Sequence, residues 1–231
     1  MHYPQEQGRR EFKTLVQHYD ELTAQQARLK TKIKARLRMQ GVITSGEQPF
    51  SSKGRKVVLA EVKSSAVRTA IGQLYAVLDQ SMTSQTEARL LMLQAARAFP
   101  EIKLLRTAPG IGPICACRFS AYIHNPSRFS STRKLWKYCR LSVSHRSSNG
   151  KPLRRPRLDR CGCGGLKDVS RKAFDAALRT QRDHSFKRAY LRALETTHDK
   201  THARLTVQRK IVSTLRAMWI NQTPYHDQLM R

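Results

Sequence analysis

Two long stretches, in which apolar or neutral residues recur at alternating steps of four and three, constrain the fold more than any other feature of the chain. The first runs through Leu15, Tyr19, Leu22, Gln26, Leu29 and Ile33, and the second through Val67, Ile71, Leu74, Leu78, Ser81, Gln85, Ala88, Met92, Ala95 and Phe99. A helix with that repeat buries one narrow seam and exposes the rest, so each stretch predicts a helix of coiled-coil geometry. Lys and Arg fill the outer positions late in the first stretch (KTKIKARLR), and Gly41 stands where a C-cap is expected. Residues 44–56, TSGEQPFSSKGRK, hold Gly, Pro and Ser without periodicity and read as the loop at the tip of a hairpin. The pattern predicts an antiparallel coiled-coil arm over residues 1–100, with a plain helical hairpin packed on its own domain as the alternative. The polar residues Gln26, Ser81 and Gln85 weaken the seam and can fix register or partner choice. A homo-oligomer formed through the arm is the further expectation.

Pro100 breaks the second run. Residues 101–231 read as a small helical domain. It opens with EIKLLRTAPGIGPICACRFSAYI, continues through a Ser-, Arg- and Gly-rich middle (residues 142–165), and closes with helical stretches at about 167–195 and 198–220. The expected fold class is therefore mainly α: an antiparallel coiled-coil hairpin followed by a small helical domain with a helix-hairpin-helix element.

Charge narrows the partner. Against 16 Asp and Glu the chain has 44 Lys and Arg, a formal net charge of +28. A compact fold that basic calls for a polyanion. No stretch approaches the apolar length of a membrane span, and the opening MHYPQEQGRREF lacks the apolar core of a signal peptide. Nucleic acid, met in the cytoplasm, is the partner this leaves. The cysteines, Cys115, Cys117, Cys139, Cys161 and Cys163, are odd in number, and in a reducing compartment they are expected to be free thiols.

Three motifs could carry chemistry. In LLRTAPGIGP, Pro109 ends one helix, Gly110 and Gly112 allow tight backbone geometry, and Ile111 lies between them. The following helix would then offer free N–H groups to a phosphate. The alternative is an ordinary helix–helix turn that binds nothing. In SSNGK, Ser147 or Ser148 stands beside Lys151 and a basic run with Arg154, Arg155 and Arg157. A hydroxyl among cations is a candidate nucleophile on phosphate, although Ser-Asn-Gly is also a common turn. Cys161-Gly-Cys163 has C-x-C rather than zinc-knuckle spacing. His198 and His202 could share a helix face, but no metal site is assigned in this chain.

Together these pieces resemble one family, the DEDD-type insertion-sequence transposases, which include Piv-like DNA invertases and bridge-RNA-guided recombinases. LLRTAPGIGPICACRFSAYI is similar to the family's apolar-PGIGP-apolar block. HNPSRFSS at 124–131 and KLWKYCRL at 134–141 resemble its next block. SSNGK at 147–151 falls at its Ser-Gly-Gly-Lys, and RKIV at 209–212 with TPY at 223–225 resembles its ending. The resemblance implies DNA transposition or site-specific recombination in a bacterial cytoplasm, associated with the nucleoid when bound. It places Ser148, or its neighbour Ser147, at the nucleophilic serine that attacks a phosphodiester. It also brings in a guide RNA as a partner to consider. The family carries an acidic RNase-H-like domain before its coiled coil, and magnesium is implied for that domain. Only about ten residues precede the coiled coil here, so the expectation is a truncated or split transposase, with no cofactor of its own. Cys139-Arg140 stands for the usual Leu-Gly, Asn149 for a glycine, and CGCGG for a more basic turn. The alternative function is a non-enzymatic nucleic-acid-binding remnant or regulator.

Overall fold

A computed structural model of the chain describes residues 6–144, 147–149, 151–152 and 157–227. Among the described residues are nine α-helices, three short 3-10 turns and two small antiparallel ladders, so the fold is mainly α. No described helix is long and apolar enough to cross a membrane. The chain divides into two compact units: Thr14–Met92, and Met1–Lys13 together with Leu93–Arg231.

The unit Thr14–Met92 is built from most of α1 (Gln7–Met39), α2 (Ser52–Ala60) and most of α3 (Ser65–Ala95). α1 and α3 run antiparallel, because Gln26 Nε2 donates to Ser81 O at 3.0 Å and Gln85 Nε2 donates to Thr23 Oγ1 at 2.8 Å. The polar seam residues therefore set the register of the pair. Ile33, Leu37, Val58, Val62, Ile71, Tyr75 and Leu78 form its core. Each such side chain contributes roughly 1.5–3 kcal/mol by leaving water. α1 ends as its sequence requires. Gly41 takes φ +78, Val42 N donates to Leu37 O at 3.1 Å, and Gly41 N donates to Arg38 O at 3.0 Å, the Schellman arrangement.

The tip differs from the featureless loop expected over 44–56, because α2 starts inside it. Ser51 Oγ caps α2 by accepting from Gly54 N at 3.0 Å, and Val58 and Val62 bury themselves in the core. Two apolar anchors are too few to leave a readable period, which is why the sequence shows only a loop.

In the other unit, α9 (Lys200–Asn221) is the central element. It packs against α4 (Pro100–Leu105), α6 (Thr132–Tyr138), α7 (Gly164–Arg179) and α8 (Ser185–Thr197). Val207, Ile211, Val212, Leu215, Met218 and Trp219 are buried around it. A helix apolar on several sides belongs at the centre of a bundle. α5 (Pro113–Ile123) packs on α4 and α7. The first turns of α1 also belong here: Phe12 lies 4.6 Å from Phe99, and Arg9 pairs with the buried Glu101 at 2.9 Å.

The two closing stretches resolve into three helices. His184 Nδ1 caps α8 by accepting from Lys187 N at 3.3 Å, and this separates α7 from α8. His198 ends α8 in the left-handed conformation, while Asp199 caps α9 by accepting from Thr201 N and His202 N. The expected common helix face of His198 and His202 is therefore absent, because a helix boundary runs between them.

Candidate nucleic-acid interface

α4 closes at Leu105, ahead of Pro109, and the turn to α5 is held by Thr107 N to Leu104 O at 3.1 Å and Ile111 N to Ala108 O at 3.1 Å. Its two glycines have different reasons. Gly110 has φ +78, and a Cβ there would lie 2.2 Å from Ala173 O on α7, so this glycine serves packing. Gly112 caps α5 with φ −82, and nothing lies within 4 Å of where its Cβ would be. Ile111 is 5% exposed and Pro109 half-buried, so Ile111 offers a ligand only its backbone. Lys103, Arg106 and Thr107 are exposed on the same segment. The turn is fastened from the C-terminal side, where Tyr225 N donates to Thr107 Oγ1 at 2.9 Å. Tyr225 in turn donates to Asp227 at 2.8 Å, and Asp227 accepts from Ser185 N at 2.5 Å.

After α6 the chain forms nested antiparallel ladders. β1 (Val143–Ser144) pairs with β4 (Arg157–Leu158), and inside them β2 (Ser147–Ser148) pairs with β3 (Lys151–Pro152). Ser148 is directly opposite Lys151 and Ser147 opposite Pro152. Asn149 follows Ser148 with φ +51, in the left-handed range that Asn tolerates at such turns. The sequence reading of SSNGK as a turn and its reading as a serine site thus fall on one hairpin tip. Arg157 is exposed on β4. Arg154 and Arg155 lie outside the described residues.

The foot of this ribbon is anchored firmly. Asp159 N donates to Ser142 O at 2.8 Å, and Cys163 N donates to Tyr138 O at 2.7 Å. Arg140 Nε donates to Gly162 O at 2.9 Å, and Arg209 Nε on α9 donates to Leu141 O at 2.8 Å. Gly162 has φ +114, and a Cβ there would meet Tyr138 O at 2.4 Å. The CGCGG run is therefore a tight packing turn over the end of α6. All five cysteines are free. Burial pushes the Cys117 thiol up to about 11 and also raises Cys139 and Cys163, which marks them as packing residues rather than activated nucleophiles.

The cations sort into two kinds. On α7, Asp168 accepts from Arg118 at 2.7 Å, Arg171 at 2.6 Å and Lys172 at 2.8 Å, and Asp175 pairs with Arg204 at 3.1 Å. Arg216 donates to Phe129 O at 2.7 Å. These groups hold the fold. α6 is different. Leu135 is buried and Trp136 Nε1 donates to Ser213 Oγ at 2.9 Å, while Arg133, Lys134 and Lys137 are exposed. Arg133 and Lys134 make no ion pair among the described residues. From Ile102 to Leu158 the sequence has no Asp or Glu at all. That gap is the sequence signal for the cationic face of α6. Among the described residues no group of three or more His, Cys, Asp or Glu is placed to hold a metal. The magnesium implied by the resemblance has no donor set in them.

Residues 102–190 match the family model described as Transposase IS116/IS110/IS902 family. The match opens in α4, takes in the glycine turn, α5, α6, the ribbon with Ser147 and Ser148, and α7, and ends in α8. No curated protein matches the chain in sequence.

Proposed function

We propose, from the match of residues 102–190 to the transposase IS116/IS110/IS902 family, that the chain grips DNA through the glycine turn and the ribbon and uses Ser148 as nucleophile on a DNA phosphodiester. The observation that carries this reading is the place of Ser148. It is the last residue of β2, opposite Lys151 across a tight turn, in a segment free of carboxylates from Ile102 to Leu158. A hairpin tip can meet a phosphodiester without moving any helix. Lys151 and the basic run that follows it in sequence favour both the alkoxide character of the serine and the charge that builds on phosphate. In the step, a bond forms between Ser148 Oγ and phosphorus while one phosphorus–oxygen bond to deoxyribose breaks. The hydroxyl proton passes to a base, and the freed sugar oxygen takes up a proton. The products are a phosphoseryl link to one DNA end and a free hydroxyl on the other. Backbone N–H groups at Gly112 and the start of α5 contact phosphate without reading sequence.

Self-association belongs to the same reading. α3 leaves Val77 and Leu91 exposed at 48% and 54% on one side of the helix, positions suited to contact with a second copy of the chain. The sedimentation mass of the full chain decides it: a multiple of 26.5 kDa supports it and the single-chain mass removes it.

The chemical step is tested by trapping adducts on labelled DNA ends. The trap is run with and without a second family transposase that supplies metal-binding carboxylates. The expected result is an adduct in the supplemented reaction that disappears in Ser148→Ala, with DNA affinity unchanged. An adduct that survives Ser148→Ala moves the role away from Ser148. No adduct under either condition leaves a binding module without chemistry.

A further inference from the structure

α6 is seven residues long, with one side committed to the protein and the other to solvent. Leu135 is fully buried, Trp136 bonds Ser213 on α9, and Tyr138 Oη donates to Tyr122 O at 3.3 Å. The helix is thereby fixed, and its exposed side carries Arg133, Lys134 and Lys137. Arg133 and Lys137 are one turn apart, and like charges at that spacing oppose the helix unless an anion lies against them. The ribbon's foot extends the same surface. The turn that follows its return strand packs over the carbonyls that end α6, at Gly162 and Cys163, and Arg157 and Arg160, just before that turn, are exposed. Asp159 is the first carboxylate after Glu101 in the chain, and it is already engaged by Cys161 N at 2.9 Å. A cationic face that is rigid, anchored from behind and carrying a single carboxylate, Asp159, against five cations is complementary to a regular row of phosphates.

We propose that Arg133, Lys134 and Lys137, with Arg157 and Arg160, form a phosphate track that holds duplex DNA beside the hairpin tip. The inference rests on the proposed action on DNA, and it adds to Arg157, a candidate from the sequence, the exposed cations of α6 and Arg160. The track positions the backbone and carries no base information, so its loss affects all sequences alike. Each phosphate contact steepens the dependence of log affinity on log salt by about 0.9 for duplex DNA.

The experiment uses the full chain and two unrelated duplexes, with binding measured over a series of salt concentrations. In the variant Arg133→Ala/Lys134→Ala/Lys137→Ala, the salt slope should become shallower by roughly 2–3 for both duplexes. Arg171→Ala/Lys172→Ala removes cations already paired with Asp168 and should leave the slope unchanged. Far-UV circular dichroism and the thermal midpoint establish that each variant is folded, and Lys134→Gln/Lys137→Gln supplies a milder pair with an expected loss of about 2 in slope. An unchanged slope in folded triple and double variants overturns the track, although the DNA reading then survives on the wild type's own salt dependence. A wild type with no salt-dependent duplex binding overturns both. A slope loss seen with single-stranded RNA but not with duplex overturns the choice of partner.

Discussion

α6 and α7 both display cations one helical turn apart, and only α7 answers them with carboxylates. Asp168 collects Arg118, Arg171 and Lys172, and Asp175 takes Arg204. Across α6 and the ribbon the nearest carboxylate in sequence is Asp159, held by its own turn. The net charge of the chain is the same evidence for both faces, and it cannot tell them apart. The difference teaches that a strongly basic protein uses part of its charge as mortar and part as ligand contact. The presence or absence of acids within reach decides which.

The α4–α5 turn has one glycine on each side of this divide, and the sharpest way to break the comparison lies there. Gly110→Val places a side chain at φ +78 and drives its Cβ into the α7 backbone. Strain and overpacking together should cost about 4 kcal/mol, and chemical denaturation of the full chain reads it. Gly112→Val meets open space. It should stay folded and bind DNA more weakly at every sequence. Equal loss of stability in both variants would mean that the turn only packs.

Asp168→Asn comes next in size. It neutralises the carboxylate on which Arg118, with a side chain 8% exposed, Arg171 and Lys172 converge, and should cost about 3 kcal/mol, with DNA affinity of the folded protein held or slightly raised. Burial pushes the Asp168 carboxyl up, but hydrogen bonds from Lys172, Arg171 and Arg118 outweigh it and hold the group at about 2. A carboxyl that titrates lower when folded than when unfolded stabilises the fold above its ordinary value of 3.8. That contribution fades as the pH falls toward about 2. Wild type should therefore lose more stability than Asp168→Asn between pH 4 and pH 2. Parallel acid curves would show that the cluster contributes nothing to the fold.

The sequence made part of this legible, and the physical reasons for the rest differ by region. Ile33, Ile71, Leu78, Ala88 and Met92 were readable as a seam, because a long helix repeats its burial many times. Tyr75 was not, since its neighbour Leu74 fits the same period better although only Tyr75 is fully buried. The burial of Leu78 within this unit also means that replacing it would test folding rather than self-association, so exposed Val77 and Leu91 are the positions to change. α2 was hidden because its one buried valine, Val58, with Val62 just beyond its end, leaves no period. The hairpin tip was readable as a turn from Ser-Asn-Gly, but its two-residue strands are too short to show alternation. The reason for each glycine lay outside local sequence altogether, in the position of α7. The α6 face has no helical period of its own to mark it, and its signal in the sequence is a long absence of Asp and Glu.

Lysine reactivity toward an amine-selective label, read by mass spectrometry with and without saturating duplex DNA, tests the central claim most directly. Lys134, Lys137 and Lys172 are all exposed in the free chain, so all begin reactive. Bound DNA should protect Lys134 and Lys137 strongly and leave Lys172, already engaged with Asp168, at its free-chain reactivity. Protection of Lys172 with Lys134 and Lys137 unchanged would place the DNA on the ion-paired face and contradict the division of charge on which the account rests.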